Sequence, residues 1–590
     1  MIAQVVFDLP LEGHFDYLVP EHLIPHMAEG MRVNVSFAGR SRTGFVVGLS
    51  EHSTIAKLKP VDSIREKDAV FNSTDLGFAR EFGAYYGCSL GEALGAMLRN
   101  RKDGKPSVRR EHKPQLSLYR CRPDGYAAKI RDIIQAYHGR SPLPSFLILV
   151  PDAFRMQAVW EPLQVFLRQH GNGQEERIKI GMRSMVFESD GRHDCIIMVD
   201  EEDASFKQEQ MPMYETRQVL LARSKIYGFD AAFVGISPSV ELMAQVDDKQ
   251  IQCFEDPDNV LAPARPVDLS IYKFIPGLLS PPVRDALDAA LKSGKKSILV
   301  LNRKGSYRLT RCVDCGEILK CGRCDSPLIY SRSQGEFLCR HCPYTVPGTT
   351  SCPKCRKPSW RSQGIGVEQL QSELKKFFPQ AKIFSFERGI KSAAGMQTWG
   401  KGGFDIVIAT RAILRFQGMG SVHMAAFIDF DAELNRLDIR SAFNAFSLAL
   451  HISSMALESV FFQTRSMGHY VIENLARRNF KGFYDEELKL RKEFGFSPFK
   501  HWIKITWRGK SEKSAREAAW QVYNTLNQTA GPDLAVTPPL ADDVGRKRDK
   551  FHFNVMLQAD DVPRAVAFIK SSLAKIKRQS RVVVALNIDP

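Results

Sequence analysis

The sequence predicts an α/β protein of two doubly wound lobes, the second interrupted by a metal-binding insertion, with a β-rich domain before them and an α+β domain after. Three observations carry this. Apolar runs of four or five residues recur between amphipathic stretches from about residue 115 to 460, the pattern of parallel strands buried on both faces. Eight of the twelve cysteines fall between 312 and 355. A chain of 590 residues is also too long for one hydrophobic core and divides into roughly three to five domains.

Residues 1–104 alternate short β-like segments with turns. VNVSF and TGFVVGL flank AGRSR, and a helical stretch follows over about 75–98. The segment RNRKDGKPSVRREHK holds seven Lys/Arg against two acids and supplies a basic linker, placed at 105–114, able to touch phosphates. A first lobe over 115–262 takes its strands from FLILV, CIIMV and AAFVG. A second, over 263–483, takes them from SILVL, DIVIA, MAAFI and the segment around Val460. From 484 to 590, HWIKITWRG, FHFNVMLQ and RVVVALNI alternate with two helical stretches.

Lys plus Arg outnumber Asp plus Glu by 82 to 66, a net charge of +16. Such a field suits a polyanion, nucleic acid first. The opening residues MIAQVVFDLPLEGHFDY lack the apolar stretch of a secretory leader. No apolar run approaches the roughly 20 residues of a membrane helix. A cytoplasmic location without membrane attachment follows, where thiols stay reduced and clustered cysteines hold metal rather than disulfides.

Those cysteines form four CxxC pairs, Cys312/Cys315, Cys321/Cys324, Cys339/Cys342 and Cys352/Cys355. A CxxC turn aims two thiolates at one ion, and tetrahedral zinc takes four ligands, so eight cysteines make two closed sites. Closed sites leave no position for water, so these Zn²⁺ ions are structural. Four thiolates also hold iron–sulfur clusters, but paired zinc knuckles suit the even spacing better. Spacing does not decide which pairs share an ion. Cys88, Cys121, Cys195 and Cys253 are isolated and read as small buried residues.

Taken together, these residues resemble the PriA primosomal helicases. The start, LPLEGHFDYLVPEHL with GMRVNVSF and GFVVGL, is similar to their domain that binds a 3′ DNA end. RSMVF, VDEEDASFKQ, Tyr214 and Arg217 resemble segments of their first lobe. LNRKGSY before the cysteines, FFPQAKIF, DIVIAT and the stretch from Asp429 to Arg440 resemble the second, and RKEFGFSPF and NIDP the C-terminal domain. The resemblance implies two helicase-like RecA-type lobes carrying a zinc module over 311–356. It pairs Cys312, Cys315, Cys352 and Cys355 on one ion, and Cys321, Cys324, Cys339 and Cys342 on the other. It places a DNA-end pocket at Phe15, Asp16 and Tyr17, beside the loop Phe37, Ala38, Gly39, Arg40. It implies forked DNA with a 3′ leading-strand end as ligand, and single-strand-binding, primosome or helicase-loading proteins as partners.

Helicases of this class need a glycine-rich loop whose N–H groups cradle phosphates, then Lys and Ser/Thr. Within LYRCRPDGYAAKIRDII that loop is missing. If Gly125 closes the loop, Tyr126 and Ala127 stand for Lys and Thr. If Lys129 is the lysine, Tyr126 and Ala128 occupy glycine positions and Ile130 replaces the hydroxyl. Asp200 and Glu201 survive as the acids that would hold Mg²⁺ and polarise water. The motif's histidine is Asp203, and its Ser-Ala-Thr reads Gly235, Ile236, Ser237. In the second lobe the GTQM…KG motif reads Ala409, Thr410, Arg411, Ala412, with Arg415 and Phe416. The arginine motif reads HISSMALE, with Met455 and Glu458 where two arginines belong. The winged-helix domain of the family is also replaced by the short basic linker. Binding of ATP and Mg²⁺ is therefore not expected, Asp200 and Glu201 are vestigial, and VDEED is read as a strand end followed by helix-capping acids. The expected function is to bind stalled or recombined forks and help reload the replicative helicase without ATPase or helicase activity. Two rivals stand beside it: an active ATP-dependent 3′–5′ DNA helicase, and a zinc-ribbon scaffold bridging proteins.

Overall fold

Alternation of apolar and polar residues curls the first strands into a barrel. In the computed structural model, β1 (Ile2–Val6), β2 (Phe15–Leu18), β3 (Arg32–Phe37), β4 (Arg40–Ser50) and β5 (Lys59–Ile64) close in the order β1-β2-β5-β3-β4. Val5, Val33, Val35 and Val46 fill the interior without exposure. The structure describes residues 1–99, 111–138, 144–170, 177–188, 193–272, 277–301, 309–315, 317–322, 328–331, 335–339, 344–363, 367–386, 403–417, 420–436, 438–531, 533–547, 550–576 and 583–590. Most of the basic linker, Cys324 and Cys342 lie outside them.

The expected helical stretch is two helices, Ser73–Tyr86 and Leu90–Leu98. Gly87, left-handed at φ +71°, ends the first, and Ser89 caps the second. Asn72 with Asp75, and Ser89 with Glu92, form capping boxes, and each capping side chain contributes on the order of 1 kcal/mol.

Six parallel strands build the first lobe: β6 (Leu116–Arg120), β7 (Phe146–Leu149), β8 (Ile178–Gly181), β9 (Cys195–Val199), β10 (Asp230–Gly235) and β11 (Gln252–Glu255), in the order β11-β6-β10-β9-β7-β8. Successive residues of the apolar runs serve opposite faces. Phe146, Ile148 and Ile197 meet Tyr126, Ile130 and Leu163 of the helices Tyr126–His138 and Ala153–His170. Leu147, Ile196 and Met198 join the large core on the other side. That is why FLILV and CIIMV are apolar throughout.

The second lobe repeats the design. Its strands are β12 (Ala264–Asp268) and β13 (Ser297–Val300), then, beyond the insertion, β19 (Ile383–Phe386), β20 (Ile406–Ala409), β21 (Val422–Phe427) and β22 (Ala456–Thr464). Their order is β12-β22-β21-β13-β20-β19, all parallel. Between β13 and β19 the insertion forms two small antiparallel sheets, β14 (Leu309–Cys312) with β18 (Trp360–Gln363), and β15 (Ile329–Ser331), β16 (Glu336–Leu338) and β17 (Thr345–Pro347).

After β22 come the helices Tyr470–Arg477 and Phe480–Phe494. The second contains residue 484 and is tied to the first lobe: the Tyr484 hydroxyl donates to the Pro238 carbonyl, and Arg491 pairs with Glu241 at 3.0 Å. The terminal antiparallel sheet comprises β23 (His501–Gly509), β24 (Ala535–Val536), β25 (Leu540–Lys547), β26 (Lys550–Ala559) and β27 (Val583–Ile588), with the helices Glu512–Thr529 and Val562–Ala574. One continuous core joins the N-terminal helices, both lobes and this domain. Among the described residues no helix is long and apolar enough to cross a membrane. Cys88, Cys121 and Cys195 are buried as expected; Cys253 is half-buried, because β11 is an edge strand.

Candidate DNA-end pocket, metal centre and inter-lobe cleft

In the barrel, Asp16 pairs in register with Gln4 on β1. Alternation sends Phe15 and Tyr17 to one face of β2 and Asp16 to the other. Tyr17 is buried and its hydroxyl donates to the Ser36 carbonyl at 3.2 Å. Phe15 and Phe37 are half-buried and packed edge-on, 5.0 Å apart, against Phe7. Asp16 Oδ2 accepts from the Ser53 hydroxyl at 2.5 Å. Its Oδ1 is buried and accepts no hydrogen bond, with a His14 ring nitrogen 3.4 Å away. A buried carboxylate oxygen left in this state carries an unpaid desolvation cost. Phe37 and Arg40 pair across a two-residue turn whose Ala38 and Gly39 are both left-handed, φ +47° and +77°. This is the hairpin geometry that favours Asn or Gly at both positions, so Ala38 holds it under strain.

In the insertion, Cys312, Cys315, Cys352 and Cys355 bring four sulfurs within 4.8 Å of one another. Cys312 lies 3.4 Å from Cys355 and Cys315 lies 3.6 Å from Cys352. A tetrahedron with Zn–S bonds of about 2.3 Å has sulfur–sulfur edges of about 3.8 Å, so the donor set fits zinc. The pairs come from the two ends of the insertion, where β14 lies against β18. Cys321 is fully buried and Cys339 half-buried in the adjacent small core with Leu328 and Phe337. Their partners Cys324 and Cys342 lie outside the described residues.

The cleft between the lobes is filled. The segment after β6 leads straight into the helix Tyr126–His138, so Tyr126 stands at its first turn with no exposure. Lys129 points away and pairs with Asp256 at 3.4 Å. At the end of β9 the backbone turns through a left-handed Asp200, φ +50°, a conformation that Asp tolerates better than most residues. The Asp200 carboxylate then accepts from the Tyr126 hydroxyl at 2.5 Å and pairs with Arg155 Nε at 2.8 Å. Arg155, itself buried, also donates to the Gln417 side-chain oxygen in the second lobe at 2.8 Å. Glu201 is consumed as well. One oxygen meets Arg217 at 2.6 Å and the other accepts the Ser239 N–H at 2.6 Å, at the cap of the helix Val240–Asp247.

Glu202, read with its neighbours as a helix-capping acid, instead crosses the lobe boundary. It accepts from Ser237 at 2.9 Å and meets His451 Nε2 at 3.1 Å, while Ser237 reaches Ser447 at 2.8 Å. His451 Nδ1 faces the Gln417 amide. Burial, with the Asp200 charge nearby, pushes the Glu202 carboxyl up to about 7 against the pull of His451. Asp200, Glu202 and His451 could together hold a cation, but the Arg155 guanidinium already neutralises Asp200. Burial and the adjacent Asp200 charge hold the Tyr126 hydroxyl protonated far above its ordinary range. Both oxygens of Asp200 and both of Glu201 thus have partners within the protein. Of the two arginine positions, Met455 is core, and Glu458 is mostly exposed and paired with His423 at 2.8 Å. The sequence singled out Tyr126, Asp200, Glu201, Arg217 and Ser237; no local pattern marks Arg155, Gln417 or His451 as members of this cluster.

Two doubly wound lobes behind a small barrel domain, the second interrupted by a four-thiolate cluster, define the class: an α/β protein with an insertion able to hold a metal ion. Residues 4–99 match the family described as the 3′ DNA-binding domain (3′BD) of PriA. The replication restart protein PriA of Treponema pallidum (strain Nichols) is 25% identical over 658 residues, covering 100% of this chain and 99% of that protein. That of Bacillus subtilis (strain 168) is 24% identical over 435 residues, covering 70% of this chain and 54% of that protein, so this chain spans about half of its length. Among solved structures, the DUF1998 helicase MrfA bound to DNA and AMPPNP aligns with 71% of this chain and 54% of its own, at 10% identity and a TM-score of 0.35. The chain is similar to the PriA replication restart proteins along its whole length, and its first hundred residues match their 3′ DNA-binding domain.

Proposed function

We propose that this chain serves replication restart as a binder of stalled or recombined forks that helps reload the replicative helicase, without hydrolysing ATP or unwinding DNA. One observation carries the loss of catalysis: Asp200, the acid that would hold Mg²⁺, is buried and saturated by Arg155 and Tyr126. A guanidinium neutralises the carboxylate permanently, and a tyrosine fills the place of the phosphate-binding lysine.

In this reading residues 1–104 form the DNA-end domain. Phe15, Tyr17 and Phe37 pack one face of β2 and brace it beside the Ala38 turn, and the Asp16 carboxylate on the opposite face accepts from a base edge or a 3′-hydroxyl. An acid would repel phosphate, so it selects an end over a backbone. Two Zn²⁺ ions, one on Cys312, Cys315, Cys352 and Cys355 and one on Cys321, Cys324, Cys339 and Cys342, hold the insertion. The lobes over 115–262 and 263–483, the basic linker 105–114 and the domain over 484–590 present Lys and Arg to phosphates, so affinity falls steeply with salt. The partners are cytoplasmic: a fork with a 3′ leading-strand end, single-strand-binding protein, and primosome or helicase-loading proteins. The test is DNA-stimulated ATP turnover of the zinc-loaded chain on a fork. No turnover above background is expected; turnover near about 1 s⁻¹, ordinary for an enzyme, would establish the helicase reading instead.

A further inference from the structure

We infer that the face of the C-terminal sheet turned away from its helices binds an unpaired DNA strand. This rests on the reading of the chain as a fork binder, and adds which strand is held and the surface that holds it. The register of β23 with β26 and β27 assigns each side chain to a face. Ile503, Ile505 and Trp507 of β23 are buried in one core with Ala515, Ala519 and Val522 of the helix Glu512–Thr529. The alternate residues Trp502, Lys504, Thr506 and Arg508 point the other way, and all are half-buried. Met556 of β26 stands opposite Lys504, and Asn554 stands opposite Thr506 and bonds its hydroxyl at 2.8 Å. Leu540 of β25 pairs in turn with Asn554 and is 65% exposed. Trp502, Met556 and Leu540 lie outside the hydrophobic core that joins this domain to the lobes.

Charge and shape together select the ligand. The cations around the sheet are paired, Lys500 with Asp560 and Lys513 with Glu517. On the open face, by contrast, no ion pair among the described residues engages Lys504, Arg508 or, by alternation along β26, Lys550. Asp589, the acid that follows β27, is taken up by His501 at 2.7 Å. Uncompensated cations on one face suit a polyanion. Lys504 and Arg508 lie four residues apart on one strand, roughly 13 Å, so they meet separate phosphates. Between and beside them the face is apolar: Trp502, held by a hydrogen bond from Nε1 to the Gly495 carbonyl at 3.0 Å, then Met556 and Leu540. A duplex presents phosphates and leaves such surface uncovered, whereas the flat face of an unpaired base covers it. An antiparallel sheet backed by helices offers single-stranded nucleic acid a platform of this kind.

Fluorescence anisotropy of the full-length, zinc-loaded protein tests this. The probes are a labelled oligodeoxythymidylate carrying a 3′-phosphate, so that no 3′-hydroxyl takes part, an abasic strand of the same length, and a blunt duplex. The double variant Lys504→Gln, Arg508→Gln should weaken the strand by about tenfold and lower the slope of log affinity against log salt by about 1.4, since each phosphate contact on a single strand contributes about 0.7. Its duplex binding should match the parent's. Leu540→Asp, at a mostly exposed position, should weaken the strand as well, and it decides the matter if the double variant does not fold. The parent should bind the abasic strand more weakly than the thymidylate. The inference is overturned if both variants bind the strand like the parent, if the duplex is weakened as much as the strand, or if the abasic strand binds equally well. It is also overturned if polyglutamate of equal charge displaces the strand, which would mark the face as a dock for an acidic protein. A fork with a free 3′-hydroxyl that binds no better than the duplex would overturn the fork reading and leave these strand measurements standing.

Discussion

Replacing Asp200 by Asn tests what the surviving acids now do. In the parent, the carboxylate balances Arg155 at 2.8 Å and accepts from Tyr126 at 2.5 Å, with both side chains of the ion pair less than a tenth exposed. Asn keeps an acceptor for the tyrosine but leaves the Arg155 charge buried and unpaired. Breaking a buried pair from one side costs about 3–5 kcal/mol, a large share of the roughly 5–15 kcal/mol that holds an ordinary domain together. For a unit the size of this lobe, each kcal/mol moves the midpoint by about 2–4 °C, so the lobe transition should fall on the order of 10 °C. Scanning calorimetry reads it, since several transitions are expected in so divided a chain. Arg155→Met should cost a similar amount, and the double variant should recover much of the loss because no lone charge remains. A change below about 2 °C for Asp200→Asn, or additive losses in the double variant, would refute the ion-pair assignment and return Asp200 to the metal-binding role.

The remaining expectations concern other parts of the chain. Metal analysis should return two zinc equivalents, with Cys312→Ser or Cys355→Ser losing about one and loosening the β14–β18 pairing, because structural zinc contributes folding energy directly; finding iron would refute it. Asp16→Ala should weaken binding to forks with a free 3′-hydroxyl by about 1.5–3 kcal/mol, the worth of a charge-assisted hydrogen bond, and barely change binding to 3′-phosphorylated forks in fluorescence anisotropy; equal loss on both would make Asp16 structural. His501 meets Asp589 at 2.7 Å; burial opposes its charge, but that hydrogen bond and the Asp589 carboxylate outweigh it and raise its value. Its contribution to stability is therefore complete below the ordinary histidine value near 6.5 and is lost as pH rises through the raised folded-state value. Unfolding midpoints across that range should slope downward in the parent and lose that slope in His501→Gln.

What could be read from the sequence follows from burial. Central strands such as FLILV, CIIMV and SILVL are covered on both faces, so their apolar runs are uninterrupted. The edge strands β8, β11, β12 and β19 were not identified, and neither was β6, whose LSLYR carries Arg120. That residue is tolerated because Glu255 and the Phe480 ring receive it across the fold, partners far away in the chain. Gly87 and Ser89 split one helical stretch into two through a left-handed cap that composition alone does not reveal. The cysteines were legible because ligand spacing is local. The DNA-end motif was legible only as residue types, and it took strand alternation to set Asp16 and the aromatics on opposite faces of β2.

The cleft explains why the acids outlast the phosphate loop. A helicase cleft must open and close around nucleotide, so its carboxylates need to be free when the lobes part. Here Arg155 joins Asp200 to Gln417, and Glu202 and Ser237 reach His451 and Ser447. Opening the lobes would strip these partners from groups that are almost wholly buried. These contacts tie the lobes together, and removing Asp200 would leave Arg155 uncompensated and loosen its bridge to Gln417, while Glu201 secures Arg217 and Ser239 within the first lobe. A protein that recognises fork shape gains from such rigidity, since contacts presented on fixed surfaces lose less conformational entropy on binding. On the proposed function, Asp200 and Glu201 persist because one fixes Arg155 at the lobe junction and the other fixes Arg217 and the cap of the helix Val240–Asp247.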